Sequence, residues 1–212
     1  MEFINPLANQ YIETYSNTTP SYLRSMYEAT LAEHPHAHLQ SSWHQGGVLC
    51  FMSKLKRPLQ VLEIGTFTGF STLCLAEGLQ ENGMIHTIEL RAEDANKAST
   101  YFEASPFAHQ IKVHIGDAKE VIPSLNFNWD LIFIDADKTG YIDYYNLVLP
   151  RLHSDGIIIV DNVLFHGDVL EEKITGKSAK AIQCFNEYVL NDPNTEQTLL
   201  TIRDGLTLIR KK

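Results

Sequence analysis

Cysteine is scarce in this chain, with three among 212 residues and no Cys-x-x-Cys pair. Cys50, Cys74 and Cys184 are far apart, odd in number and set in apolar runs. That excludes a disulfide framework and predicts buried free thiols in a reducing compartment. No apolar run approaches the roughly 18 residues that a membrane span needs. The opening MEFINPLANQ lacks both a basic stretch and a long apolar stretch, so no leader is read there. The expectation is a cytoplasmic protein that does not enter membranes. Basic charge is also short: 17 Lys and Arg stand against 26 Asp and Glu, a net charge of −9. Such a balance disfavours non-specific binding to nucleic acid or anionic membranes. The last absence is local. The segment Val61–Ser71, VLEIGTFTGFS, has Phe67 where a dinucleotide fingerprint places its second glycine. A pyrophosphate is poorly served by that turn.

What the segment does contain is a short apolar run, a turn with Gly65 and Gly69, and a helical pattern from Phe70. Strand, glycine turn and helix together bring backbone N–H groups to a ligand at the open end of a parallel sheet. An acid, Glu63, precedes the turn in the order E-x-G-x-x-x-G. That order favours a ligand with a cationic end and no bridging phosphates. S-adenosylmethionine, with its ammonium and sulfonium, fits.

The rest of the chain alternates in kind. Strands are predicted at 60–64, 84–89, 111–115, 131–135 and 157–160, each rich in Val and Ile as strands buried on both faces are. Helical patterns lie between them at 70–81, 92–103, 118–125 and 141–152, which implies right-handed crossovers and a mostly parallel sheet. A helix at about 178–190 is followed by apolar runs at 197–202 and 206–210. Arg203-Asp204-Gly205 joins them, a hairpin signal. Before residue 59 the pattern is helical: two short helices opened by Asn5-Pro6 and Thr19-Pro20, then a third at 47–55. The fold class is α/β: a Rossmann-like, mostly parallel sheet ending in an antiparallel pair, with helices on both faces and a helical N-terminal extension. One domain spans 1–212, with a helical cap over 1–58 and the core over 59–212.

Four acids, Glu89, Asp117, Asp135 and Asp161, fall at or just past carboxyl ends of predicted strands, the edge where open α/β sheets bind ligands. Glu89 suits the two hydroxyls of a ribose. Asp117 suits a helix N-cap, a contact to adenine, or both. Asp135 and Asp161-Asn162 end two strands that, as neighbours, stand about 4.8 Å apart. Three hard oxygen donors without His or Cys select Mg²⁺ or Ca²⁺ over zinc, with Mn²⁺ also admissible. Lys138 sits on the first turn of the next helix, where the helix dipole disfavours a cation. Beside a metal and partly desolvated, its pKa is expected to fall, so that it serves as a general base.

At these residues the chain resembles the metal-dependent class I O-methyltransferases of the catechol and caffeoyl-CoA type. The matching segments are VLEIGTFTGFST, IHTIEL, IGDAKEVIPSL, DLIFIDADKTGYIDYY, GIIIVDNVLFHGDV and RDGLTLIRK. The resemblance implies a seven-stranded sheet with an antiparallel last strand. It also implies an S-adenosylmethionine site that includes Ser41, Glu63, Gly65, Thr66, Ser71, Glu89, Ala118 and Asp135, to which Gly69 and Asp117 are added from the turn and the strand ends. It assigns Asp135, Asp161 and Asn162 to the metal, Lys138 to the base, and Lys138, Asn162 and His166 to contact with the acceptor. The expected acceptor is a small catechol, a vicinal dihydroxyphenyl compound. A caffeoyl-CoA-like ester and a hydroxylated uridine of tRNA are the alternatives. A homodimer is expected. The histidine-rich segment 34–44 departs from the family, where an acidic run stands before the third helix. Its histidines serve either as lid contacts or as an exposed polar loop.

Overall fold

The apolar runs at 61–64, 85–89, 131–134 and 158–161 form strands buried on both faces, whereas the run at 111–115 is only partly buried. β1 (Gln60–Ile64), β2 (Met84–Glu89), β3 (Ile111–Ile115), β4 (Trp129–Ile134) and β5 (Leu152–Asp161) are joined by β6 (Thr195–Leu200) and β7 (Leu206–Lys211) in one sheet of order β3-β2-β1-β4-β5-β7-β6. The computed structural model describes residues 5–212; residues 1–4 of the expected helical segment lie outside the described residues. β1 to β5 pair in parallel, while β7 runs antiparallel to both β5 and β6. The order reverses at β1, which has β2 on one side and β4 on the other. In open α/β sheets a crevice opens at such a reversal, and ligands bind there.

Helices α1 (Pro6–Tyr15), α2 (Arg24–Glu33), α3 (Trp43–Lys56), α4 (Phe70–Ala76), α5 (Ala92–Glu103), α6 (Ala118–Ser124), α7 (Tyr141–Val148) and α8 (Lys177–Leu190) surround the sheet. One apolar cluster joins Leu62, Ile132, Ile158 and Ile209 to Tyr145, Phe185 and Val189 of α7 and α8. The other joins Val61, Leu131 and Phe133 to Leu49, Cys50, Leu73 and Cys74 of α3 and α4. Alternate residues of the same strands feed the two clusters, as the period of two requires.

Most element boundaries follow the sequence reading, and the differences have local causes. Asn5 caps α1 through its side chain, 2.9 Å from the Leu7 N–H. Thr19-Pro20 opens a short 3-10 turn rather than α2 itself. α3 begins at Trp43, four residues before the expected Gly47, because the Ser42 hydroxyl caps it at the Gln45 N–H. α4 stops at Ala76 instead of continuing to 81, just before Gly78, a poor helix former. α7 stops at Val148, since Pro150 has no N–H to donate to the carbonyl four residues back, and the chain continues as a 3-10 turn. β6 lies two residues earlier than expected. Its end is pulled out of the ladder by Arg203 at φ 49° and Gly205 at φ 87°.

One thiol differs from the expectation. Cys50 and Cys74 are buried, but Cys184 is exposed on α8, whose buried face is carried by Ala179, Ile182, Phe185 and Val189. Among the described residues no helix is long and apolar enough to cross a membrane.

Candidate active site

The carboxyl ends of β1, β2, β3 and β4 open on a cavity of about 650 Å³. Its wall includes Ser41, Gly65, Thr66, Ser71, Glu89, Asp117, Ala118, Asp135, Lys138, Asn162 and His166, so eleven of the residues singled out in the sequence share one space. Glu63, Gly69 and Asp161 are not in that wall, and each has a different role.

Gly65 has φ 100° and Gly69 φ 90°. A side chain on Gly65 would overlap the Asp135 carbonyl oxygen, because the tips of β1 and β4 touch there. We expect Gly65→Ala to destabilise the protein by about 3 kcal/mol or more, combining left-handed strain with overlap; a thermal melt measures it, and an unchanged Tm contradicts the packing. Gly69 faces away from the ligand: a Cβ there would press into the Phe102 ring of α5.

Glu63 is fully buried beneath the turn. Its carboxylate accepts hydrogen bonds from Ser71 Oγ at 2.6 Å, Thr87 Oγ1 at 2.6 Å and the Thr72 hydroxyl. It holds the turn onto α4 and β2 from inside, rather than meeting a ligand's ammonium directly. Burial pushes its carboxyl up to about 7, against the hydroxyls, which lower it. A folded-state pKa above the unfolded value makes the protonated form the stabilising one. Its contribution is therefore complete at acidic pH and is lost as pH rises through about 7. Glu63→Gln should flatten the fall in Tm between pH 5 and pH 8, and a variant whose pH dependence matches the parent would refute this assignment.

Glu89 reaches back to the same turn. Its Oε2 accepts from the Phe67 N–H at 2.8 Å and its Oε1 from the Arg91 N–H at 3.0 Å, while the residue also lines the cavity. Asp117 caps α6 at the Lys119 N–H, 2.8 Å away, and also lines the cavity.

At the other end, Ile134 of β4 pairs with Val160 of β5. Asp135 and Asp161 therefore leave neighbouring strand tips side by side. Lys138 Nζ lies 2.7 Å from Asp135 Oδ1 and 2.8 Å from the Tyr141 hydroxyl, which in turn donates to the Asp161 carbonyl at 3.1 Å. Asp161 is fully buried. Its Oδ2 accepts from Gln45 Nε2 of α3 at 2.6 Å and its Oδ1 from the Asn162 N–H at 2.7 Å. Burial, and after it the negative charge of Asp135, pushes the Asp161 carboxyl well up.

Asn162 takes φ 58°, a conformation asparagine tolerates better than most residues. Its Nδ2 donates to Asp204 Oδ2 at 3.2 Å, which turns its carbonyl oxygen toward the remaining side. Asp204 also takes the His166 N–H at 2.6 Å and lies 3.2 Å from the His166 ring. The Asp-Gly of the hairpin thus carries a positioning role that its turn chemistry concealed.

Lys138 is held by an ion pair with Asp135. Burial alone would lower its pKa, but Asp135 and Tyr141 raise it above the ordinary lysine value. The ion pair with Asp135 holds the side chain as an ammonium.

Among the described residues no three His, Cys, Asp or Glu side chains converge to hold a metal. The donor set at issue is different: two carboxylates and an amide oxygen. It fits a hard divalent cation, because one lysine faces two adjacent acids, Asp135 partly buried and Asp161 fully so, and the raised Asp161 marks the charge left over.

The histidine-rich segment divides. His34 is bound to Asp94 at 3.0 Å and takes the His36 N–H at 3.1 Å, as part of a polar loop. His38 lines the cavity. Gln45, Tyr141, Arg203 and Asp204 are site residues that the sequence reading did not assign. Arg203 and Asp204 were legible only as a turn, and Tyr141 only as part of a matching segment.

A sheet reversing at β1, a glycine turn without a dinucleotide fingerprint, and an acid at the end of β2 define a class I S-adenosylmethionine-dependent methyltransferase. Comparison with known proteins agrees. Residues 13–212 match the family model described as O-methyltransferase. Catechol O-methyltransferase domain-containing protein 1 of Mus musculus is 30% identical over 212 residues, covering 98% of this chain and 80% of the relative. Caffeoyl-CoA O-methyltransferase 5 of Nicotiana tabacum is 29% identical over 205 residues, covering 91% of this chain and 85% of the relative. The SAH-bound methyltransferase PaMTH1 of Podospora anserina superposes with a TM-score of 0.91 at 28% identity, covering 100% of this chain and 98% of that one. The chain belongs to the S-adenosylmethionine-dependent O-methyltransferase family that includes the caffeoyl-CoA enzymes.

Proposed function

We propose that this enzyme methylates one hydroxyl of a small catechol-type acceptor and does so with a divalent cation, Mg²⁺ in the first instance. The observation that carries this reading is the chain of contacts Asp135–Lys138–Tyr141–Asp161 at adjoining tips of β4 and β5, beside the cofactor cradle. Asp135, Asp161 and the Asn162 amide oxygen would hold the cation. When bound, the ion supplies Lewis-acid activation of a coordinated hydroxyl.

The chain's own residues do the rest. The turn 65–69 and Glu89 bind the methyl donor and fix where its methyl group can stand. Lys138, a cation in the resting site, favours the ionised form of a nearby acceptor hydroxyl. It takes up a proton only if the charge of Asp135 is drawn away from it. Gln45 holds Asp161 in place. Holding nucleophile and methyl group at near-attack distance supplies a large part of the acceleration. The relatives' names point to both catechol and caffeoyl-CoA acceptors. A cavity of about 650 Å³, ordinary for small-ligand sites, favours a single ring beside the cofactor over a CoA ester.

The test is methyl transfer from labelled S-adenosylmethionine to a panel of vicinal diols, caffeoyl-CoA and bulk tRNA. We expect transfer to the simple catechols. Transfer confined to caffeoyl-CoA or to tRNA would replace this reading.

A further inference from the structure

Arg203 lines the cavity without a role in the cofactor cradle or among the cation's donors. It sits in the loop between β6 and β7, half-buried, and its side chain lines the cavity with Asn162, Phe165 and His166. Its φ of 49° places a non-glycine residue in the left-handed region, at a cost of about 1 kcal/mol.

The guanidinium has five N–H donors in a planar fork. Its hydrogen bonds engage two nitrogens: Nη2 donates to the His38 carbonyl at 3.1 Å, and Nη1 makes a long contact of 3.5 Å to Gln45 Oε1. No carboxylate among the described residues forms an ion pair with it. The neighbouring acids are taken: Asp204 by Asn162 and His166, Asp161 by Gln45 and the Asn162 N–H, Asp135 by Lys138. In a chain of net charge −9, a cavity-lining arginine that makes no salt bridge can receive an anionic group of a ligand. One side-chain amide, that of Gln45, separates the guanidinium from the Asp161 carboxylate.

We propose that Arg203 determines acceptor specificity and that the acceptor is a vicinal dihydroxyaryl compound bearing a carboxylate, which the Arg203 fork receives. The inference rests on the catechol reading and narrows it. It also counters the repulsion that Asp135, Asp161 and Asp204 would otherwise impose on an anionic substrate.

Three acceptors of similar size separate the outcomes: 3,4-dihydroxybenzoate, neutral 4-methylcatechol and cationic 3,4-dihydroxybenzylamine. The full-length enzyme should prefer the benzoate over 4-methylcatechol by roughly tenfold or more in kcat/KM, and the amine should be poorest. Arg203→Gln should shrink the benzoate preference to roughly two- to threefold, chiefly through the KM of the benzoate. Arg203→Glu should reverse the order toward the amine, a gain that a merely damaged fold cannot produce. Equal use of all three acceptors by the parent overturns the proposal while leaving the catechol reading intact. So does an Arg203→Gln variant that loses activity on all three alike, which would make the residue a support for Gln45. A raised KM for S-adenosylmethionine in that variant also overturns it, since the fork would then serve the donor's carboxylate. If none of the three is methylated, the catechol reading falls and this inference falls with it.

Discussion

Replacing Asp161 by alanine is expected to lower turnover by roughly three orders of magnitude, the scale on which a preorganised electrostatic contact at a reacting group acts. The same change should leave S-adenosylmethionine affinity within about threefold, because Asp161 lies outside the cavity wall and the cradle is built from other elements. Two effects combine in the loss. The buried carboxylate takes the Gln45 amide at 2.6 Å, so its removal leaves a fully buried donor without a partner. It also removes one of the two carboxylates at the adjoining tips of β4 and β5. Asp161→Asn separates these effects. It keeps hydrogen-bonding capacity for the Gln45 side chain and should recover stability in a thermal melt without recovering turnover. Single-turnover kinetics beside equilibrium binding of the donor measure both quantities. An Asp161→Asn enzyme with parental turnover would contradict the assignment.

The second large effect is at Lys138. Lys138→Met should lower kcat by about two to three orders of magnitude, with little change in donor binding, since positioned proton-handling groups contribute on that scale. The pH profile distinguishes how the residue acts. While Asp135 and Tyr141 hold it, its pKa is raised and the side chain is an ammonium. Without that cation, ionisation of the acceptor loses its support. The variant's activity should then climb more steeply toward alkaline pH, and Lys138→Arg should restore part of the neutral-pH rate. A Lys138→Met profile parallel to the parent's removes Lys138 from the proton chemistry.

The site was legible in the sequence to the extent that strand ends carry it. Buried parallel strands announce themselves as short runs of Val and Ile. An acid just past such a run must lie at the sheet's open edge, and Glu89, Asp117 and Asp135 were found in that way. The glycine turn was legible because Gly65 and Gly69 both need positive φ. Side-chain direction was less so. Glu63 looked like a ligand-facing acid, yet the alternation of β1 points it into a pocket of hydroxyls supplied by Ser71, Thr72 and Thr87. Contacts across long sequence separations were invisible. Gln45 reaches Asp161 over 116 positions, and Asp204 reaches Asn162 over 42. No local pattern encodes such a pairing. Lys138 lies only three positions from Asp135, and what the sequence left out was their ion pair at 2.7 Å.

The central claim is that Asp135, Asp161 and Asn162 bind a cation the reaction needs. Methyl transfer from labelled S-adenosylmethionine to 3,4-dihydroxybenzoate, by enzyme first stripped with EDTA and then given Mg²⁺ stepwise, tests it most directly. The account predicts negligible transfer by the stripped enzyme and saturable recovery with one Mg²⁺ per chain. Full activity in the presence of excess chelator would contradict it.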